Sequence, residues 1–169
     1  MSIRNALFAT IALMAGTPAW ADPYWSSIAT ACTPDNLSIQ NNRYQSTVDS
    51  YVTPQKGNVD PTVLICAVQP NPGASGLPNL LSMTYLDSTG VTNTAHVLAQ
   101  LIRVNRSTGG RATVAAVSSD SFATTTPTKN QSAAFSHTLN FEMNFYYVRI
   151  EIDRAANNQN VRSMGVALE

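Results

Sequence analysis

Apolar residues recur at every second position along much of this chain, in short runs closed by breakers. The clearest run covers 145–154. There Tyr146, Val148, Ile150 and Ile152 alternate with Tyr147, Arg149, Glu151 and Asp153. A period of two predicts a strand with one buried face and one wet face. Residues 63–68, Val-Leu-Ile-Cys-Ala-Val, are apolar at both parities, which suits a central strand covered on both sides. Eight such runs stand out, at 45–53, 62–69, 80–87, 95–105, 111–119, 133–140, 145–154 and 161–168. A short helical turn is expected over 24–31, and no longer stretch keeps a helical period.

Turn chemistry supports these divisions. Asp87-Ser88-Thr89-Gly90 and Thr108-Gly109-Gly110 separate neighbouring runs, and prolines at 54, 61, 70, 72, 78 and 127 bound or interrupt others. Short strands with turns every ~8–12 residues predict an all-β, single-domain antiparallel β-sandwich, jelly-roll-like, of about eight strands.

The N-terminus has a different pattern. Arg4 precedes an apolar run from Ala6 to Ala15 broken only by Thr10, and Gly16, Pro18 and Ala19-Trp20-Ala21 follow. That is the layout of a secretory signal, with cleavage expected after Ala21. The run is about ten residues, against the ~20 that span a bilayer. The expected division is therefore a signal peptide at 1–21 and one sandwich domain at 22–169, secreted or periplasmic, with no transmembrane segment in the mature chain.

Composition narrows the function classes. Ten basic residues balance ten acidic ones, and charged residues make up only 12% of the chain. A nucleic-acid partner held by a broad basic surface is not expected. The surface relies on Ser, Thr, Asn and Gln, and 44% hydrophobic content is enough for one core. Cys32 and Cys66 are the two cysteines, 34 positions apart. In an oxidising compartment such a pair predicts one structural disulfide.

No strong catalytic motif is present. His96 and His137 belong to no H-E-x-x-H pattern, and the G-x-S-x-G elbow, the Walker loop and the dinucleotide fingerprint are all missing. No catalytic residue is assigned. Glu151 and Asp153 share one strand face, roughly 7 Å apart by strand rise, and are the basis for a third reading, a carboxylate-based hydrolase. Arg103, Arg106 and Arg111 surround the Gly109-Gly110 turn and are candidates for an anionic sugar or phosphate. Tyr147 falls on the wet face of its strand and is a candidate for stacking on a sugar ring. Asp87, with Ser88, Thr89 and Gly90, is a candidate calcium turn, for which a plain Asx-type turn is the competing reading. No other cofactor is implied.

These features favour an exported, non-catalytic binding module for a glycan or cell-envelope component. The alternative is a structural or assembly subunit. In size, leader and early cysteine pair, the chain is similar to fimbrial subunits of the chaperone–usher type, which implies assembly by donated strands. Two family features are not matched. Residues 22–31 do not alternate cleanly, and the terminal Met-Gly-Val-Ala-Leu-Glu lacks an aromatic residue.

Overall fold

A computed structural model describes residues 23–74, 76–92, 94–123 and 128–169. The expected signal peptide and its cleavage site lie outside the described residues, as do residues 124–127.

Two antiparallel sheets face each other. The strands are β1 (Trp25–Ile28), β2 (Thr33–Pro34), β3 (Tyr44–Ser46), β4 (Val52–Pro54), β5 (Thr62–Ala67), β6 (Leu80–Asp87), β7 (Ala95–Asn105), β8 (Arg111–Ser118), β9 (Lys129–Ala134), β10 (Asn144–Arg154) and β11 (Val161–Leu168). One sheet has the order β3-β4-β11-β6-β9, with β1 also paired to β11, and the other has the order β2-β5-β10-β7-β8. From β4 onward each strand crosses to the other sheet, except for the β7–β8 hairpin. This path is jelly-roll-like. The protein is an all-β sandwich.

The core forms where the alternating faces meet. Val148, Ile150 and Ile152 of β10, Val97, Ala99 and Leu101 of β7, and Leu81, Met83 and Tyr85 of β6 are all fully buried. Strand β11 keeps its apolar residues inward across an irregularity. Register shifts between Ser163 and Gly165, so that Val161 and Ser163 point inward before it and Val166 and Leu168 after it. One extra residue resets the parity. Glycine is required there, because a Cβ on Gly165 would lie 2.7 Å from the Ser27 carbonyl oxygen of β1.

Cys32 and Cys66 form the expected disulfide. It ties the segment between β1 and β2 to β5, where Thr33 pairs with Ile65.

Several sequence expectations need correction. There are eleven strands among the described residues, not about eight. The run at 45–53 is a hairpin, β3 and β4, whose turn bonds Thr47 N–H to the Tyr51 carbonyl and places Ser50 at φ 63°. The run at 133–140 is displaced, because β9 lies earlier and pairs with β6 through Lys129 to Ala134. The helical turn at 24–31 is instead β1 followed by a 3-10 turn, Ala29–Ala31. A short helix, α1 (Asn36–Gln40), was not anticipated. Asp35 caps it by accepting from Ser38 N–H, and the buried Ser38 hydroxyl accepts from Val63 N–H of β5.

Candidate functional site

The outer face of β10 begins with two aromatic residues of the same parity. Phe145 is 55% exposed and Tyr147 is partly buried beside it. Register sets their neighbours. Tyr147 lies opposite Ala67 on β5 and Ile102 on β7, while Phe145 lies opposite Val104. A groove of about 510 Å³ opens here, lined by Phe145, Tyr147, Phe141, Arg106, Ala67 and Pro70 among others.

Two asparagine turns build the rim. Asn105 Oδ1 accepts from Ser107 N–H, the Ser107 hydroxyl and Thr108 N–H. Gly109, at φ 69°, then donates back to the Asn105 carbonyl and closes the hairpin. Asn140 Oδ1 accepts from Glu142 and Met143 N–H, which fixes the entry to β10. The two turns are joined, because Arg106 N–H donates to the Met143 carbonyl. Arg106 is therefore held beside β10, and its guanidinium sits 4.4 Å from the centre of the Phe145 ring, within the range of a cation–π contact.

Beneath the rim, Tyr146 packs edge-on to Phe141 with ring centres 5.0 Å apart. Its hydroxyl accepts from Asn140 N–H and bonds His137 Nε2 at 2.9 Å. Burial, and then the charge of Arg103, hold the His137 imidazole below its ordinary pKa. This network locks the groove's floor and its Asn140 turn together.

The three candidate arginines are not brought to one point. Arg103 lies opposite Tyr146, on the parity facing the other sheet. Arg111 is exposed, opposite Val104 on the outer face. Only Arg106 lines the groove, together with Tyr147. Phe145 and Phe141 were not among the candidates read from the sequence. The signal for Phe145 was available, since it shares the parity of Tyr147.

Asp87 is fully buried at the end of β6. Its Oδ1 accepts from Thr89 N–H, the Thr89 hydroxyl and Gly90 N–H, and its Oδ2 accepts from the Ser119 hydroxyl at 2.6 Å. Those bonds fasten the 87–90 turn to the 3-10 turn Ser119–Ser121. Among the described residues, no group of three or more His, Cys, Asp or Glu converges as a metal site would need. Glu151 is ion-paired to Arg149 and lies 3.7 Å from His96 Nε2, and Asp153 accepts from Arg154 N–H. Both carboxylates are thus engaged on the sheet face.

A second groove, of about 380 Å³, lies on the outer face of the other sheet, lined by Ser26, Ser82, Thr84, Asn130, Ala167 and Glu169 among others. It offers hydroxyls, the carboxylates of Asp49 and Glu169 and the apolar side chains of Ile28 and Met164, but no aromatic face, so the β10 groove is the stronger candidate for stacking on a sugar ring. No protein-family model, curated protein or solved structure matches this chain.

Proposed function

We propose that this protein is an exported, non-catalytic binding module for a glycan or cell-envelope component, with the groove at the start of β10 as its site. The observation that carries this reading is the exposed Phe145 beside Tyr147, with Arg106 held over the Phe145 ring. Aromatic faces stack on the apolar faces of sugar rings, and hydrogen-bonding groups at the rim supply orientation. The hydrogen-bonded turns at Asn105 and Asn140 hold these side chains in place before a ligand arrives, which lowers the entropy cost of binding. The leader pattern at 1–21 and the disulfide support export.

The test is a screen of the purified, oxidised protein against a glycan array and insoluble polysaccharides, with calcium and then with chelator. Saturable binding to one glycan class, weakened at least tenfold by Tyr147→Ala in a variant that keeps its melting temperature, is the expected result. An absence of binding to every glycan would overturn the sugar-binding reading.

An assembly subunit is the second reading. It is favoured by β1, a four-residue N-terminal strand whose pairing partner is the last strand, β11. Light scattering across a concentration series separates the two, since assembly by strand exchange gives oligomers that grow with concentration.

A further inference from the structure

The groove has a charge asymmetry that goes beyond stacking. Arg106 is its one charged lining residue among those described. The ion pairs among the described residues join Arg43 to Asp60 and Arg149 to Glu151, with His96 Nε2 3.7 Å from Glu151, so none involves Arg106. Its backbone is tied down through the Met143 carbonyl, and its guanidinium carbon lies over the Phe145 ring, 4.4 Å from the centre. A cation–π contact leaves a guanidinium with N–H donors that the ring does not satisfy, and their fork matches the paired oxygens of a carboxylate or sulfate. Tyr147 lies two residues along the same strand face, roughly 7 Å away by strand rise.

We infer that the groove selects sugars bearing an anionic group: Tyr147 stacks on the ring, and Arg106, shelved on Phe145, pairs with the acidic substituent. This rests on the glycan-binding reading above and names its ligand class. Phe145 acts here as a positioning residue. Its exposed ring holds the guanidinium in place and reduces the freedom that pairing would otherwise cost.

The experiment measures affinity by calorimetry for oligogalacturonate and for its methyl ester, which keeps the ring and loses the charge. Dextran sulfate and dextran form a parallel sulfated and neutral pair. The expected result is a preference of about tenfold or more for at least one charged member over its neutral partner, the size of one charge-assisted pairing. The preference should shrink as salt is raised. Arg106→Gln should abolish it while leaving weak binding to the neutral sugar. Phe145→Ala should reduce it, and the double variant should lose no more than Arg106→Gln alone. Lys56→Gln, in the loop after β4, serves as the control for general charge and should change nothing.

Equal affinity for charged and neutral partners, or a preference that survives Arg106→Gln, overturns the inference. In either case, if Tyr147→Ala still weakens binding, the glycan-binding reading stands without charge selection. Failure of the unaltered protein to bind any of the four probes or any arrayed glycan overturns both. Melting temperatures within a few degrees of the parent establish that each variant is folded.

Discussion

Asp87 shows how much one residue holds. Its carboxylate accepts hydrogen bonds from two residues of its own turn and one from Ser119 in a distant turn. Asp87→Ala leaves several buried donors without a partner, so a loss of about 2–4 kcal/mol is expected in urea unfolding. A loss under ~0.5 kcal/mol would mean that the turn stands without it. Asp120 works in the opposite sense. Burial, the largest cause, and the nearby Asp87 charge raise its pKa above the ordinary 3.8, while His96 and the Ser118 hydroxyl pull it partly back. The folded carboxyl therefore holds its proton more tightly than the unfolded one. The stability it contributes is complete below 3.8 and is lost as pH rises through the folded value. Asp120→Asn should melt higher than the parent at pH 7, and the gain should fade at pH 3.5. A gain that ignores pH would contradict this account. The site's residues were only partly legible at this scale. Tyr147 and Arg106 were both marked by position, on a wet strand face and beside a glycine turn. That they share one groove depends on Arg106 N–H reaching the Met143 carbonyl, 37 positions away.

At the scale of elements, legibility followed length and period. Strands β6, β7 and β11 match the sequence runs at both ends, and β10 starts one residue early. Each carries enough alternating residues for the buried face to specify register. The short elements did not declare themselves. Helix α1 spans five residues, too few for a helical period, and is held by its Asp35 cap and the Ser38 bond to β5. The turn between β3 and β4 was hidden inside an apparent run, because Thr and Val at its flanks suit strands. Strand β9 has a mostly polar sequence, Lys-Asn-Gln-Ser-Ala-Ala, so its place was settled by pairing with β6. The disulfide belongs to this scale as well. It anchors β2 and the preceding turn to β5, elements too short to bury much area. Closing a loop of 34 residues is worth roughly 3–4 kcal/mol by the chain-entropy estimate. Reduction, or paired Cys32→Ala and Cys66→Ala changes, should lower stability by about that amount in denaturant melts. A reduced protein with an unchanged midpoint would show that β2 and α1 are held by packing alone.

At the scale of the whole molecule, the two sheets bury one face each and leave two outer faces for function. Those faces differ. One has a groove lined by hydroxyls, aliphatic side chains and two carboxylates, and the other carries aromatic side chains and arginine at one end. Calcium should leave the molecule's stability unaltered, because both Asp87 oxygens already accept hydrogen bonds from protein donors. A ligand that binds only the folded state raises the melting temperature. Equal melting temperatures in millimolar calcium and in chelator are therefore expected, and a rise with calcium would reopen Asp87 as a ligand.

The amino-acid sequence by itself determined the all-β class, the faces of the long strands and the pairing of the only two cysteines. These follow from simple rules: a period of two sorts side chains onto faces, and two cysteines leave one possible pairing within the chain. The tertiary structure alone decided which strands are neighbours, where the parity of β11 resets, and which polar residues anchor and which line a groove. Those outcomes depend on contacts between residues far apart in the chain, as when Ser119 reaches Asp87 and Arg106 reaches β10. No local pattern encodes such contacts, because they exist only once two packed sheets bring the turns at their ends together.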